Sequence, residues 1–233
     1  MNRLLVVVVL VASFTALTGC GTETTYVFPD GGVQEDAPAQ EDAPACGPAT
    51  YPCGPYGNGV DNIIEDLTFT GWVDETPDHT PLNNPFRVWG LDWFYQLALT
   101  TDAKYLYLNV SAGWCSACKT ENGVLPQIAN DYRDKGIVFA EVLFQDASGN
   151  PVSSSFVKSW ATKYNLNFTV GVDSTFKTGS YFPAAATPAN FIISLKDQTI
   201  SGTPVTAMQI ISLDTNGFAE SATRSTLDAV LVP

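Results

Sequence analysis

Trp114-Cys115-Ser116-Ala117-Cys118 follows the run Lys104-Tyr105-Leu106-Tyr107-Leu108-Asn109-Val110 and opens the segment from Lys119 to Asp134. The run before it alternates aromatic and aliphatic residues with a strong β bias, which predicts a strand. The segment after it has helical spacing, with Val124, Ile128 and Tyr132 at i, i+4 and i+8 and Leu125 beside them. It predicts one helix, ended by Gly136. A Cys-x-x-Cys pair therefore stands where a strand gives way to a helix. The first cysteine lies at the helix N-terminus, where unpaired N–H groups and the macrodipole favour a thiolate. The second lies one turn further in, close enough to close a disulfide. Such a pair can cycle between dithiol and disulfide without unfolding anything.

Plainer readings compete with this one. Cys-x-x-Cys can be half of a zinc site, which needs two more ligands. The candidates are Cys46, Cys53 and the single His79, and Cys46 and Cys53 are spaced too widely for a knuckle. A purely structural disulfide is the other possibility, but the strand–helix junction favours redox chemistry. No metal site and no cofactor is expected.

The chain has 233 residues, enough for one domain with tails or at most two. Its apolar fraction of 45% supports a real core. A net charge of −13 argues against binding nucleic acid or anionic lipid through the surface.

Residues 1–19 read as a targeting segment. Arg3 is the charged n-region, and Leu4 to Leu17 is an apolar or small stretch too short for a comfortable membrane span. The stretch ends in Leu17-Thr18-Gly19-Cys20, which resembles the lipobox of bacterial lipoproteins, where the cysteine is acylated and becomes the first residue after cleavage. An ordinary secretory signal with a chance cysteine is the alternative. Either way the mature protein is expected outside the cytoplasm, where disulfides persist. Several acyl chains on Cys20 would anchor it to the bilayer, since one alone binds marginally.

Residues 20–45 follow as a tether. They carry the tandem repeat Gln34-Glu35-Asp36-Ala37-Pro38-Ala39 and Gln40-Glu41-Asp42-Ala43-Pro44-Ala45. Such acidic Pro/Ala sequence buries too little surface to fold and is expected to act as an extended spacer of on the order of 30 Å or more. Residues 46–59 form a turn-rich entry segment. With Cys20 lipidated and Cys115 and Cys118 paired, Cys46 and Cys53 remain, and a small structural disulfide between them is the economical reading. A second redox relay there is the alternative, although nothing around them suggests a helix N-terminus.

The folded domain is expected over 60–233. Asp66 to Thr70 alternates like a strand. Asp74 to Pro85 is polar loop, and His79 within it receives no role. Phe86 to Leu99 is aromatic-rich, a helix or an edge segment whose rings fill the core. Ile137 to Phe144 predicts a buried strand, and Pro151 opens a helix running to about Tyr164. Phe168 to Val172 is a short strand, and Thr175 to Tyr181 one helical turn. Ala186 to Ile193 is a turn entering a strand. Ile200 and Ala207 to Leu213 add strand material, Asp214 to Gly217 is a hairpin-type turn, and Glu220 to Leu231 closes the chain as a helix. The early alternation gives parallel pairing and the late strands antiparallel pairing.

From about Val60 to its end the chain resembles thioredoxin-fold proteins, and specifically the membrane-anchored TlpA/ResA-like thiol-disulfide oxidoreductases. The resemblance rests on Trp114-Cys115-x-x-Cys118-Lys119, the strand before it, and Thr187-Pro188 before a strand. It implies an α/β thioredoxin fold, a central mixed sheet flanked by helices, here with an N-terminal extension. It also implies that Pro188 is the family's cis proline facing the disulfide, exposing the Thr187 backbone to an extended substrate by strand addition. Asn109 stands where cytoplasmic thioredoxins carry a buried aspartate, so deprotonation of Cys118 needs another helper. Glu121 matches a glutamate often found there in the family and is the candidate base, a solvated helix residue being the alternative. Two features depart from the family. Gly123 replaces the helix-kinking proline, with Pro126 one turn later, and the segment from Phe191 to Gly217 is longer than the usual hairpin.

The implied chemistry is thiol–disulfide exchange. Cys115 attacks a protein disulfide, Cys118 resolves the mixed disulfide, and Trp114 shields the pair. The implied partners are protein thiols and disulfides, and a membrane electron-donor protein. A peroxiredoxin-like antioxidant would need Thr-x-x-Cys, but Ala112 stands three residues before Cys115. A copper chaperone would need Cys-x-x-x-Cys and a distal histidine. A non-catalytic lipoprotein using the fold as a binding module is the remaining alternative.

Overall fold

The strand before the cysteines lies deep within the sheet, which has neighbours on both of its edges. β3 (Tyr105–Ala112) is buried along its whole length, as a strand covered on both faces must be. β4 (Ile137–Gln145) pairs with it in parallel, with Asn109 opposite Glu141. β5 (Thr169–Val172) adds to β4 in parallel. β1 (Thr68–Trp72) lies antiparallel on β5, and β2 (Phe86–Gly90) antiparallel on β1. On the far side β6 (Ala189–Ser194) runs antiparallel to β3, and β9 (Ile210–Asp214) antiparallel to β6. The resulting order is β2-β1-β5-β4-β3-β6-β9. The extra length after Phe191 forms a separate hairpin of β7 (Gln198–Ile200) and β8 (Thr203–Val205). This computed structural model describes residues 46–47 and 50–232. The signal segment, Cys20 and the tether lie outside the described residues.

Among the described residues, five α-helices complete the fold: α1 (Leu91–Thr100), α2 (Ser116–Asn122), α3 (Leu125–Arg133), α4 (Ser154–Tyr164) and α5 (Glu220–Val230). One face of the sheet carries α2, α4 and α5. Tyr107 reaches Glu121 of α2, Glu141 meets Trp160 of α4, and the Tyr105 hydroxyl donates to the Val230 carbonyl of α5 at 2.6 Å. α3 lies beside α5, with the Tyr132 hydroxyl donating to Asp228 at 2.9 Å. On the other face, the rings of Phe176, Phe182 and Tyr181 pack on Phe144 and Phe191. Trp89 passes so close to Gly171 that a Cβ there would stand 2.6 Å from its ring. The aromatic segment Phe86 to Leu99 divides into both of its expected forms, an edge strand and a helix, and Trp89, Phe94 and Tyr95 are buried.

Three local expectations change. The segment 119–134 is two helices. Pro126 has no N–H to offer the Asn122 carbonyl, and its ring would clash there in a continuous helix. Val124 therefore leaves helical geometry as the cap of α3, with Pro126 in the first turn. The helix expected from Pro151 begins at Ser154 instead, because the Ser153 side chain caps it by accepting the Phe156 N–H at 3.2 Å. Pro151 forms a bridge to Gln145. Asp214 to Gly217 is not a hairpin turn. Asp214 Oδ1 accepts the Asn216 N–H at 2.9 Å and Gly217 takes φ +87°, so the turn leads from β9 into α5. Gly136, as expected, follows the end of α3, with φ +89°.

The entry segment packs onto this fold. Cys46 and Cys53 are joined by a disulfide. Tyr51 between them is buried, its hydroxyl donating to the Ile64 carbonyl at 2.9 Å and its ring set edge-on to Tyr95. Among the described residues no helix is long and apolar enough to cross a membrane.

Candidate active site

β3 ends at Ala112, and the chain turns through Gly113 into Trp114 and Cys115. A Cβ on Gly113 would lie 2.5 Å from the Phe156 ring and 2.7 Å from the Ala147 backbone nitrogen. Glycine therefore lets the turn pass close to the end of β4. Cys115 is the N-cap of α2, its sulfur accepting the Cys118 N–H at 3.1 Å. A sulfur held there by a helix-end N–H is stabilised as a thiolate when the pair is reduced. Cys115 and Cys118 form a disulfide, and both are buried. The Cys115 sulfur lies 3.5 Å from the Thr187 carbonyl oxygen, and the Thr187–Pro188 peptide bond is cis. Chain segments far apart in sequence thus meet at one sulfur. Trp114 remains 39% exposed beside it, anchored by its indole N–H donating to Gln145 Oε1 at 2.8 Å and by an edge contact with Phe144.

Glu121 is not a solvated helix residue. It is fully buried and points from α2 onto β3, where the Tyr107 hydroxyl donates to Oε1 at 3.1 Å and Asn109 Nδ2 to Oε2 at 2.9 Å. Asn109 also donates to Asn190 Oδ1 at 2.6 Å and accepts the Ser111 hydroxyl at 2.7 Å. Burial pushes the Glu121 carboxyl up to about 8, opposed by hydrogen bonding from Tyr107 and reinforced by the charge of Glu141. A carboxyl poised near neutrality can exchange a proton with a thiol.

Glu141 is the site residue that sequence reasoning missed. It sits in the middle of β4, fully buried, and accepts from Asn122 Nδ2 at 2.9 Å and from the Trp160 indole at 3.2 Å. Burial pushes it up to about 7, partly offset by hydrogen bonding from Ser111, Asn122 and Trp160. The available signal was a lone acidic residue inside an otherwise apolar strand. His79 lies elsewhere, half-buried, its Nδ1 2.8 Å from Asp74 Oδ2. Among the described residues no group of three or more histidine, cysteine or acidic side chains is placed to hold a metal.

No protein-family model matches the chain. Among curated proteins it is 27% identical over 90 residues to the thiol-disulfide oxidoreductase ResA of Bacillus cereus, a match covering 39% of this chain and 49% of the relative. It is 25% identical over 97 residues to ResA of Bacillus thuringiensis, covering 42% and 53%. The chain thus spans about half the length of the curated relatives it matches. Among solved structures, a candidate thiol:disulfide interchange protein DsbE from Chlorobium tepidum aligns with a TM-score of 0.50 at 17% identity, covering 75% of this chain and 99% of that one. A hypothetical protein from Sinorhizobium meliloti aligns with a TM-score of 0.53 at 17% identity, covering 75% and 85%. The structural matches carry the fold, and the curated relatives carry the kinship. Together they show a thioredoxin fold in a chain similar in sequence to the ResA thiol-disulfide oxidoreductases.

Proposed function

We propose that this protein is an extracytoplasmic thiol–disulfide oxidoreductase that acts on protein thiols and disulfides through Cys115 and Cys118. The observation that carries this reading is the Cys115 sulfur itself. It caps α2 with the Cys118 N–H at 3.1 Å and lies 3.5 Å from the carbonyl of Thr187, ahead of Pro188. An N-cap sulfur has the electrostatics of a nucleophile, and the Thr187 backbone beside it offers hydrogen bonds to an extended peptide.

In the reducing direction, the Cys115 thiolate attacks one sulfur of a substrate disulfide. A Cys115–substrate bond forms, and the other substrate sulfur leaves as a thiolate. The Cys118 thiol passes its proton to the Glu121 carboxylate and attacks the Cys115 sulfur, releasing the second substrate thiolate. Two electrons have then moved from the Cys115/Cys118 dithiol to the substrate, and the proton on Glu121 returns to solvent or to the leaving thiolate. The oxidising direction is the reverse. Trp114 covers the pair and forms part of the contact surface. Cys20 carries the acyl chains that hold the protein to the bilayer, residues 20–45 space it from the lipid, and a membrane protein supplies its electrons. The Cys46–Cys53 disulfide staples the entry to the domain.

The test is to trap the intermediate. Cys118→Ser, incubated with a protein disulfide, is expected to accumulate a dithiothreitol-sensitive adduct on Cys115, and Cys115→Ser to accumulate none. Absence of any adduct from Cys118→Ser with its Cys115 thiol free would overturn the reading.

A further inference from the structure

The donors around the two buried carboxyls are unequally shared. The Asn122 amide supplies two hydrogens, one to the Cys118 carbonyl at 3.0 Å and one to Glu141 Oε1 at 2.9 Å. Trp160 gives its N–H to the same Oε1. The Ser111 hydroxyl hydrogen goes to Asn109 Oδ1, and the two amide hydrogens of Asn109 go to Glu121 and Asn190. Ser111 lies close enough to Glu141 to favour its charge, but its single hydrogen is engaged with Asn109 Oδ1, and none of these hydrogen bonds ends on Oε2. Glu141 Oε2 and Asn122 Oδ1 are both buried without a partner, and they belong to side chains already joined through the opposite pair of atoms. Two buried acceptors left unpaired are costly.

One proton removes both defects. We propose that Glu141 is a neutral carboxylic acid whose Oε2–H donates to Asn122 Oδ1, closing a two-bond acid–amide pair that holds the Cys118 turn of α2 to β4. Glu141 is then a positioning residue. It grips the redox helix through the Asn122 hydrogen on the Cys118 carbonyl, and it leaves Glu121 as the carboxyl that exchanges a proton with Cys118. The charged and titratable groups facing Glu141 fit this assignment. From α2 comes Glu121, whose charge opposes a second one. β3 presents Asn109 and Ser111, and α4 presents Trp160, all of them neutral. Burial by itself would hold the proton on Glu121 more tightly, but part of that push is the negative charge of Glu141, which vanishes when Glu141 is neutral. Glu121 faces donors on both oxygens and can bear the charge, whereas Glu141 Oε2 has none. Unequal environments of this kind split two carboxyls into different roles.

The inference deepens the thiol–disulfide reading, and the catalytic part of it rests on that reading. It is tested on the oxidised full chain at pH 7 by isotope-edited infrared spectroscopy with labelled glutamate. A carboxylic-acid carbonyl band is expected that disappears in Glu141→Gln and persists in Glu121→Gln. No such band at pH 7, or one that disappears in Glu121→Gln and persists in Glu141→Gln, would overturn the proposal. Glutamine can form the same two bonds with Asn122, so Glu141→Gln is expected to exchange disulfides within about threefold of wild type below pH 7, with an unchanged profile in that range. Glu141→Ala is expected to slow exchange at least tenfold. A profile shifted below pH 7 in Glu141→Gln would show that the side chain carries charge there, contrary to the proposal. The infrared result needs no substrate, so a retained band without any exchange would defeat the redox reading and leave the acid–amide pair standing.

Discussion

Asn109 Nδ2 donates to Glu121 Oε2 at 2.9 Å, tying the strand that leads into the cysteines to the helix that carries them. The contact turns Glu121 inward, one helical turn beyond Cys118, and the proposed mechanism has it take the thiol's proton from there. Glu121→Gln is expected to slow the resolving step by about a hundredfold, the low end of the range for a lost general base. The wild-type rate should rise with pH as Glu121 ionises, up to about 8, and this limb should be absent from the variant. Stopped-flow resolution of a preformed mixed disulfide measures both. An unchanged limb in Glu121→Gln would assign the base elsewhere.

The same burial makes stability depend on pH. Both carboxyls bind their protons more tightly folded than unfolded, so the native state holds more protons between the ordinary carboxylate range and about 8. Stability from these groups is therefore fully present at the acid end, falls as pH rises through that window, and levels off above it. The loss amounts to several kcal/mol. Calorimetry of the oxidised protein at pH 5 and pH 8 should show a drop in Tm that is much reduced in the Glu121→Gln/Glu141→Gln double variant. An equal drop in that variant would mean that other groups carry it.

Trp114 is held at the surface by Gln145 and by the edge of a single core ring, Phe144. Trp114→Ala should cost less than about 1 kcal/mol of stability. It should lower exchange with a protein disulfide by about tenfold and leave exchange with a small disulfide within about twofold, as measured by parallel turnover assays. Equal losses on both substrates would place its role in the cysteine chemistry rather than in contact.

The Cys46–Cys53 loop is short, so the entropy removed from the unfolded chain is modest. Replacing both cysteines by serine should cost about 2.5 kcal/mol, a fall in Tm of roughly 5–10 °C. Exchange activity should be unchanged. Loss of activity with Tm retained would point to a second redox role for this pair.

The sequence exposed some of these features and hid others for identifiable reasons. β3 and the cysteine turn were readable because an apolar run buried on both faces and a helix start leave strong local patterns. The break between α2 and α3 was hidden. Val124, Ile128 and Tyr132 keep helical phase across it, and the meaning of Pro126 depends on where the next helix is capped. Asp214 to Gly217 has the composition of a tight turn whether a strand or a helix follows, so tertiary packing decides between them. Glu141 stood out only as an acid in an apolar strand, and its role was hidden because its partners come from α2 and α4, distant in sequence. Glu121 was readable by its place after Cys118, but its burial came from Tyr107 and Asn109 across the sheet.

The most direct test of the central claim is the redox equilibrium of Cys115 and Cys118 in defined glutathione and dithiothreitol buffers. The account predicts a reversible two-electron couple between about −270 and −120 mV, absent in Cys115→Ser. Within that range, a value near about −250 mV assigns a reductant and one near about −150 mV an oxidant or isomerase. A pair that does not exchange at any buffer ratio would contradict it.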